Sequence, residues 1–160
     1  MDPIGFDRHD HAHCIKDGLA TAAAHCQDAG VQLTPARRRV LEILLEQHRA
    51  MGAYEILDVL RDDGMAAQPP VAYRALEFLA KHGFVHRIER LNAFIACAHP
   101  GEDHTPAFLI CRNCDRVAEA SSDVRKGRLA DAANAAGFRI ERAVVEAVGL
   151  CPDCRARGVA

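Results

Sequence analysis

The sequence predicts an α+β chain in two parts, and three observations carry that expectation. Helical periodicity fills the first half, β-like patterning takes over near residue 84, and two Cys-x-x-Cys pairs lie in the second half. The pairs are Cys111-Arg112-Asn113-Cys114 and Cys151-Pro152-Asp153-Cys154, separated by 36 residues. With the first hairpin counted alongside the helices, the expected domains are residues 1–95 and 96–160. Halves of a 160-residue chain are each too small to hold a large core unaided, and a metal staple relieves that weakness.

Composition narrows the class before any motif does. A hydrophobic fraction of 49% with 26% charged residues describes a folded globular chain rather than a disordered one. No run approaches the roughly 18 apolar residues of a membrane helix, and the first residues lack the basic, apolar and small-residue order of a signal peptide. A cytoplasmic location is therefore expected. There, an odd count of seven cysteines points to metal ligands or redox groups rather than a disulfide framework. Residues 1–90 carry 11 Lys/Arg against 13 Asp/Glu, so a nucleic-acid reading must rest on local geometry and not on bulk charge.

Taken in order, the elements begin with an Ala-rich helix from about Ile15 to Gln27, stopped by Gly30. Thr34-Pro35 reads as an N-cap followed by an N1 proline, opening a second helix through about Gln47 with Val40, Leu41, Leu44 and Leu45 on its apolar face. Its first turn is expected to expose Arg37, Arg38 and Arg39, as a solvated face or as phosphate contacts. A third helix, Tyr54 to Arg61, buries Ile56, Leu57 and Leu60 and stops at Gly64. A fourth starts at Pro70 and ends before Gly83, after a connector of only five residues, Met65 to Pro69. Such a helix-turn-helix pair can lay its last helix in a DNA major groove. Tyr73 and Arg74, in or just past that helix's first turn, are placed to reach base edges. Strands over Phe84 to Glu89 and Ala93 to Cys97, joined at Arg90 to Asn92, complete a winged helix.

In the second half, strands are expected over Ala107 to Cys111 and Val117 to Ala120. Ser122 should cap a helix from Asp123 to about Ala136, ended by Gly137, and a long strand should run from Phe138 to Val148. Each Cys-x-x-Cys then follows a strand, and four thiolates in two close pairs can close a tetrahedron around Zn²⁺. A redox dithiol is the competing reading, but Cys151-Pro152-Asp153-Cys154 shows neither the βαβ context nor the helix start such a site needs. His86, Cys97, His104 and Glu119 are a second, scattered set of acceptable zinc ligands, with His99 as a competitor. At helical spacing His9 and His13, or His11 and Cys14, could share a further metal, with a frayed terminus as the competing reading.

Three stretches carry a family resemblance: Leu33-Thr34-Pro35-Ala36-Arg37, Ala53-Tyr54-Glu55-Ile56-Leu57, and Pro70 to Leu79 followed by Gly83-Phe84-Val85-His86. Together with Phe108 to Cys114, Glu119 and Gly149 to Cys154, they resemble the ferric uptake regulator superfamily in unbroken order over roughly residues 15–154, closest to its zinc-sensing branch. The resemblance implies a homodimeric, metal-dependent transcriptional repressor of zinc uptake genes, with an N-terminal winged helix and a C-terminal α/β dimerisation lobe. It implies structural zinc at Cys111, Cys114, Cys151 and Cys154 and regulatory zinc at His86, Cys97, His104 and Glu119, two Zn²⁺ per chain. The thiolate at Cys97 favours zinc over iron or manganese. Contacts to double-stranded operator DNA fall on Tyr54, Tyr73 and Arg74, with Arg37 a further candidate. One departure is Val71-Ala72, where the family commonly has Thr-Val, so a hydroxyl for capping or phosphate contact is missing.

An enzyme is not expected, nor a small-molecule substrate or a membrane partner. A zinc deaminase needs H-x-E ahead of P-C-x-x-C, which does not occur here, and a zinc hydrolase needs an open coordination position with a spare base. A relative that senses another metal, or peroxide through thiol oxidation, is the alternative within the same scaffold.

Overall fold

The computed structural model describes residues 6, 11–47, 49–102 and 104–160. It divides into two compact units, one holding the described residues up to Gly101 and the other holding Phe6 with residues 102–160. No helix among the described residues is long and apolar enough to cross a membrane.

The first unit is four helices and a hairpin. Helix α1 (His11–Ala29) is longer than its periodicity suggested, and α2 (Pro35–Glu46) opens as expected, with the Thr34 hydroxyl accepting the Arg37 N–H at 3.4 Å. Gly18 lets the two helices close up: a Cβ there would lie 2.8 Å from Leu45 Cδ1. Packing against both α1 and α4 widens the apolar stripe of α2, so that Ile43 is buried and Leu45 half-buried against the same core. Helices α3 (Ala53–Asp62) and α4 (Pro69–Lys81) follow, burying Ile56, Leu57 and Leu60 from the first and Ala72, Ala75, Leu76 and Leu79 from the second. These side chains, with Val40, Leu41 and Leu44, form one continuous core that fixes α4 against α2 and α3.

Strands β1 (Val85–Ile88) and β2 (Ala93–Ala96) pair antiparallel, with His86 opposite Ile95. Their turn closes through the Asn92 N–H donating to Glu89 O, and Asn92 takes a φ of +46° that asparagine tolerates. Met51 exchanges two backbone hydrogen bonds with Phe94, at 2.9 and 2.8 Å, which ties the segment before α3 to the wing.

The second unit is a three-stranded sheet in the order β4-β3-β5 with two short helices. Strands β3 (Thr105–Cys111) and β4 (Val117–Ser122) run antiparallel, while β5 (Val145–Gly149) lies parallel to β3. Two expectations fail here. Ser122 ends β4 and caps nothing: helix α5 spans only Arg128–Ala135. Asp123 accepts the Arg125 N–H into a local turn, and Gly127, at φ +86°, holds a backbone conformation that no α-helix continues through. The long strand from Phe138 is likewise confined to Val145–Gly149. Its parallel ladder starts at Ala107 opposite Val145, one residue past Pro106, which has no N–H to donate.

Candidate metal centres and nucleic-acid face

The parallel pairing of β3 with β5 is what brings the two Cys-x-x-Cys pairs together. Parallel strands end on the same side of a sheet, Cys111 pairs with Gly149 at that end, and the Arg112 N–H donates to Gly149 O at 2.9 Å. Cys114 follows in the turn after β3, where Asp115 takes a φ of +58° and donates its N–H to Cys111 O. Cys151 caps a short helix, α6 (Pro152–Ala156), which carries Cys154. A helix therefore does start at the second pair, contrary to expectation, and the case against a redox dithiol rests instead on geometry. All four thiols are free, and their sulfurs lie within 4.8 Å of one another. The Cys114–Cys151 separation is 3.7 Å, against an edge of about 3.8 Å for a sulfur tetrahedron built on Zn–S bonds of about 2.3 Å.

The surroundings suit a charged thiolate cluster. Arg116 donates to Cys151 Sγ at 3.2 Å and to Asp153 at 2.6 Å, Asn113 donates to Cys154 Sγ at 3.3 Å, and Arg157 reaches the same sulfur at 3.6 Å. Burial raises the Cys111 thiol, but the N–H groups of Cys151, Asn113 and Cys114 outweigh it and hold the thiol at about 6. Cys154 goes the other way: the Asn113 amide lowers it, yet burial and the neighbouring sulfurs push it up to about 11. Crowded thiols resist losing all their protons together, and a shared dication removes that resistance. Phe6, Leu150 and Val159, each partly buried, pack around the cluster. Most of these supporting residues had no sequence signal beyond standing near the cysteines, and Phe6, far from them in the chain, had none at all.

The second set of candidate ligands is supplied as two pairs, one in each unit. On the hairpin, His86 faces Ile95, and Cys97, two residues on, shares that face. A donor nitrogen of His86 and Cys97 Sγ lie within 4.8 Å, Cys97 is buried, and the His99 N–H donates to its sulfur at 3.4 Å. On the sheet, His104 precedes β3 and Glu119 lies on β4 opposite Phe108. His104 Nε2 and Glu119 Oε1 are 2.8 Å apart, and His104 Nδ1 lies 2.8 Å from Glu102 O. A carbonyl oxygen can only accept, so Nδ1 carries a proton and Nε2 and the carboxylate face each other across a gap that needs a proton or a cation. Burial disfavours the charged ring, but the Glu102 carbonyl and the Glu119 carboxylate hold His104 above the ordinary imidazole range. Glu119 is only 2% exposed, and a buried carboxylate is tolerated only with such a partner.

The helix-turn-helix residues lie where the periodicity placed them. Ala72, Ala75, Leu76 and Leu79 turn into the core, which leaves Tyr73 and Arg74 outward; Tyr73 is 45% exposed and Tyr54, near the start of α3, 64%. The arginine run behaves differently from expectation. Arg38 is exposed, but the Arg37 guanidinium stacks 3.8 Å from the Phe78 ring centroid and donates to Gln32 O at 2.6 Å. Arg39 is spent on ion pairs to Asp63, Glu46 and Glu42. Asp63 and Phe78 become available only once α3 and α4 pack alongside, whereas Gln32, Glu42 and Glu46 are local partners. Of the N-terminal candidates, His9 and the side chain of His11 lie outside the described residues, while His13 pairs with Asp17 at 3.0 Å and Cys14 is half-buried.

Comparison with known proteins places the fold in a family. A model of the ferric uptake regulator family matches residues 28–148. The chain is 39% identical over 137 residues to the zinc uptake regulation protein of Escherichia coli (strain K12), covering 85% of this chain and 80% of that protein. It is 28% identical over 130 residues to the zinc uptake regulation protein of Mycobacterium tuberculosis (strain ATCC 25618 / H37Rv), covering 79% and 97%. Its structure is similar to that of a zinc uptake regulator complexed with zinc and DNA, with a TM-score of 0.84, 36% identity and coverage of 91% and 98%. It is also similar to holo XcZur, with a TM-score of 0.77, 38% identity and coverage of 88% and 98%.

Proposed function

The chain belongs to the ferric uptake regulator family, and from that premise we propose that it is a zinc-responsive repressor of zinc uptake genes, a cytoplasmic homodimer that binds operator DNA. The observation that carries the reading is the division of the sensing ligands into two half-shells. His86 and Cys97 stand on the wing hairpin, His104 and Glu119 on the other unit's sheet, and neither pair fills a tetrahedral site alone. Zinc, when bound, is the cation that both pairs need. Its binding energy then favours the arrangement of the two units in which all four ligands serve together.

Each group has a distinct part. Cys111, Cys114, Cys151 and Cys154 hold a structural zinc that staples the C-terminal lobe, for two Zn²⁺ per chain. Glu102 keeps the His104 ring in the tautomer that leaves Nε2 for the metal, and the His99 N–H orients the Cys97 sulfur. Residues 1–95 are the DNA-binding domain, in which Tyr73 and Arg74 on α4 and Tyr54 on α3 meet the operator. Arg37 contributes from its perch on Phe78. Residues 96–160 are the dimerisation domain. There β5 stands at a sheet edge, with Val148 exposed on it and Val144 exposed just before it, a suitable surface for a second copy. Moving an operator from mostly free to mostly bound requires zinc to favour the binding arrangement by about 5 kcal/mol.

Operator binding measured by fluorescence anisotropy, with zinc, chelator and peroxide in parallel, tests the reading. Wild-type protein should bind only with zinc, and His86→Ala and Cys97→Ser should each lose that dependence. Intact zinc-dependent binding in both variants overturns the site assignment. Release by peroxide but not by chelator assigns the protein to thiol-oxidation sensing instead.

A further inference from the structure

Near the far end of α4, five side chains from four elements stack in sequence. Arg37 of α2 lies over Phe78, Phe78 lies 4.5 Å from the His82 ring, and His25 of α1 meets His82 edge-on at 5.3 Å between centroids. His25 also packs edge-on against Phe84, which leads into β1. Between the imidazoles, His25 Nε2 and His82 Nδ1 are 3.2 Å apart, a hydrogen bond between rings 57 residues distant in sequence. His82 caps the C-terminus of α4, and Gly83, at φ +77°, turns the chain into the wing.

A ring-to-ring N–H···N bond holds only while one facing nitrogen carries a proton and the other does not. One added proton leaves an imidazolium that still donates to the neutral ring, but a second leaves two donors and two like charges at 3.2 Å, and the bond is lost. We propose that His25 and His82 form a proton-sensitive latch that fastens α1 to the C-terminal end of α4 and to the start of the wing, and that releases in mild acid. The other charged groups acting on it point the same way. Lys81, beside His82, and Arg37 on α2 both add positive charge that disfavours a proton on His82, while on α1 Asp28 stands one turn beyond His25. Burial, His25, Lys81 and Arg37 together hold His82 below the ordinary imidazole range, so the closed state is the one present at neutral pH. Two imidazoles at this spacing also suit a transition metal, but no third His, Cys, Asp or Glu among the described residues joins them.

Opening the latch frees the helix end and hinge that aim α4, so operator binding should weaken in acid. That consequence rests on the repressor reading above, whereas the latch itself does not. The test is hydrogen exchange of the zinc-loaded full-length protein between pH 8 and 5.5, corrected for intrinsic rates, with histidine ring shifts followed by NMR. In the wild type, exchange in α1 should quicken by up to about tenfold per pH unit below the pair's midpoint, because opening is coupled to one proton. His25→Gln keeps a neutral hydrogen-bond partner and should stay closed throughout, whereas His25→Leu should exchange quickly and without pH dependence. A flat wild-type profile, or a wild-type slope retained in His25→Gln, overturns the latch; so does excess zinc shifting both ring signals together, which would mark a metal site. Operator binding at pH 8 separates the two ideas: its absence in the wild type defeats the repressor reading, while the exchange profile still decides the latch.

Discussion

Replacing Glu119 with glutamine isolates the sensing function from the fold. Glu119 is 2% exposed and its Oε1 lies 2.8 Å from His104 Nε2. Glutamine has the same shape, and its amide can donate to that nitrogen, so the metal-free protein should keep the hydrogen bond and change in stability by no more than about 1.5 kcal/mol. At the proposed regulatory site, the metal-bound protein loses a charged ligand. Four-ligand zinc sites bind with about 10–16 kcal/mol, so one ligand in four is worth about 3 kcal/mol, or roughly a hundredfold in Kd. By linkage, the free zinc needed for half-maximal operator binding should rise by the same factor. Anisotropy in zinc-buffered solutions measures that midpoint, with thermal unfolding of the metal-free protein as the control. A shift below about fivefold with an unchanged melting profile refutes the placement of Glu119 in the sensing shell.

Arg74→Ala should cost about 1–3 kcal/mol against operator DNA and relax sequence preference at one base pair, read by comparing operator with scrambled duplex; an equal loss on both would reassign Arg74 to the backbone. The Glu55 carboxylate accepts the Gly52 N–H at 2.9 Å and pairs with Arg49. The Gly52 bond, opposed by burial and helped by Arg49, holds it below its ordinary value of 4.5. Its contribution to stability is therefore full above that value and lost as pH falls through the lower folded one, so wild type and Glu55→Ala should differ in Tm at pH 7 and converge in acid. Gly18→Val should lower stability by about 1–3 kcal/mol by crowding Leu45, measured by urea denaturation; no change would mean that α1 and α2 part without cost.

Much of the first unit is legible in the sequence because its signals are local. Thr34-Pro35 caps α2, Gly30, Gly64 and Gly83 take the positive-φ backbone by which the chain leaves α1, α3 and α4, and the apolar spacing of α3 and α4 picks out their buried faces. The failures mark where local signals compete. Ser122 has the chemistry of a cap, but pairing with Thr105 keeps it in β4. Residues 138–144 read as strand, yet the ladder between β3 and β5 starts only at Ala107 and Val145, and β3 itself begins two residues earlier, at Thr105. The arginines at 37 and 39 look solvent-directed in the sequence and are engaged in the structure by Phe78 and Asp63.

The sequence by itself determined which residue types stand ready for zinc and which helix faces outward, because ligand chemistry and helical periodicity belong to single residues and their near neighbours. Only the tertiary structure decided what those residues meet. The parallel alignment of β3 with β5 closes four sulfurs into one cluster, the packing of α1 and α4 against α2 brings His25 to His82, and Arg37 settles on Phe78. These contacts join residues tens of positions apart, and no local pattern encodes them: they exist because buried apolar faces fix where whole elements lie.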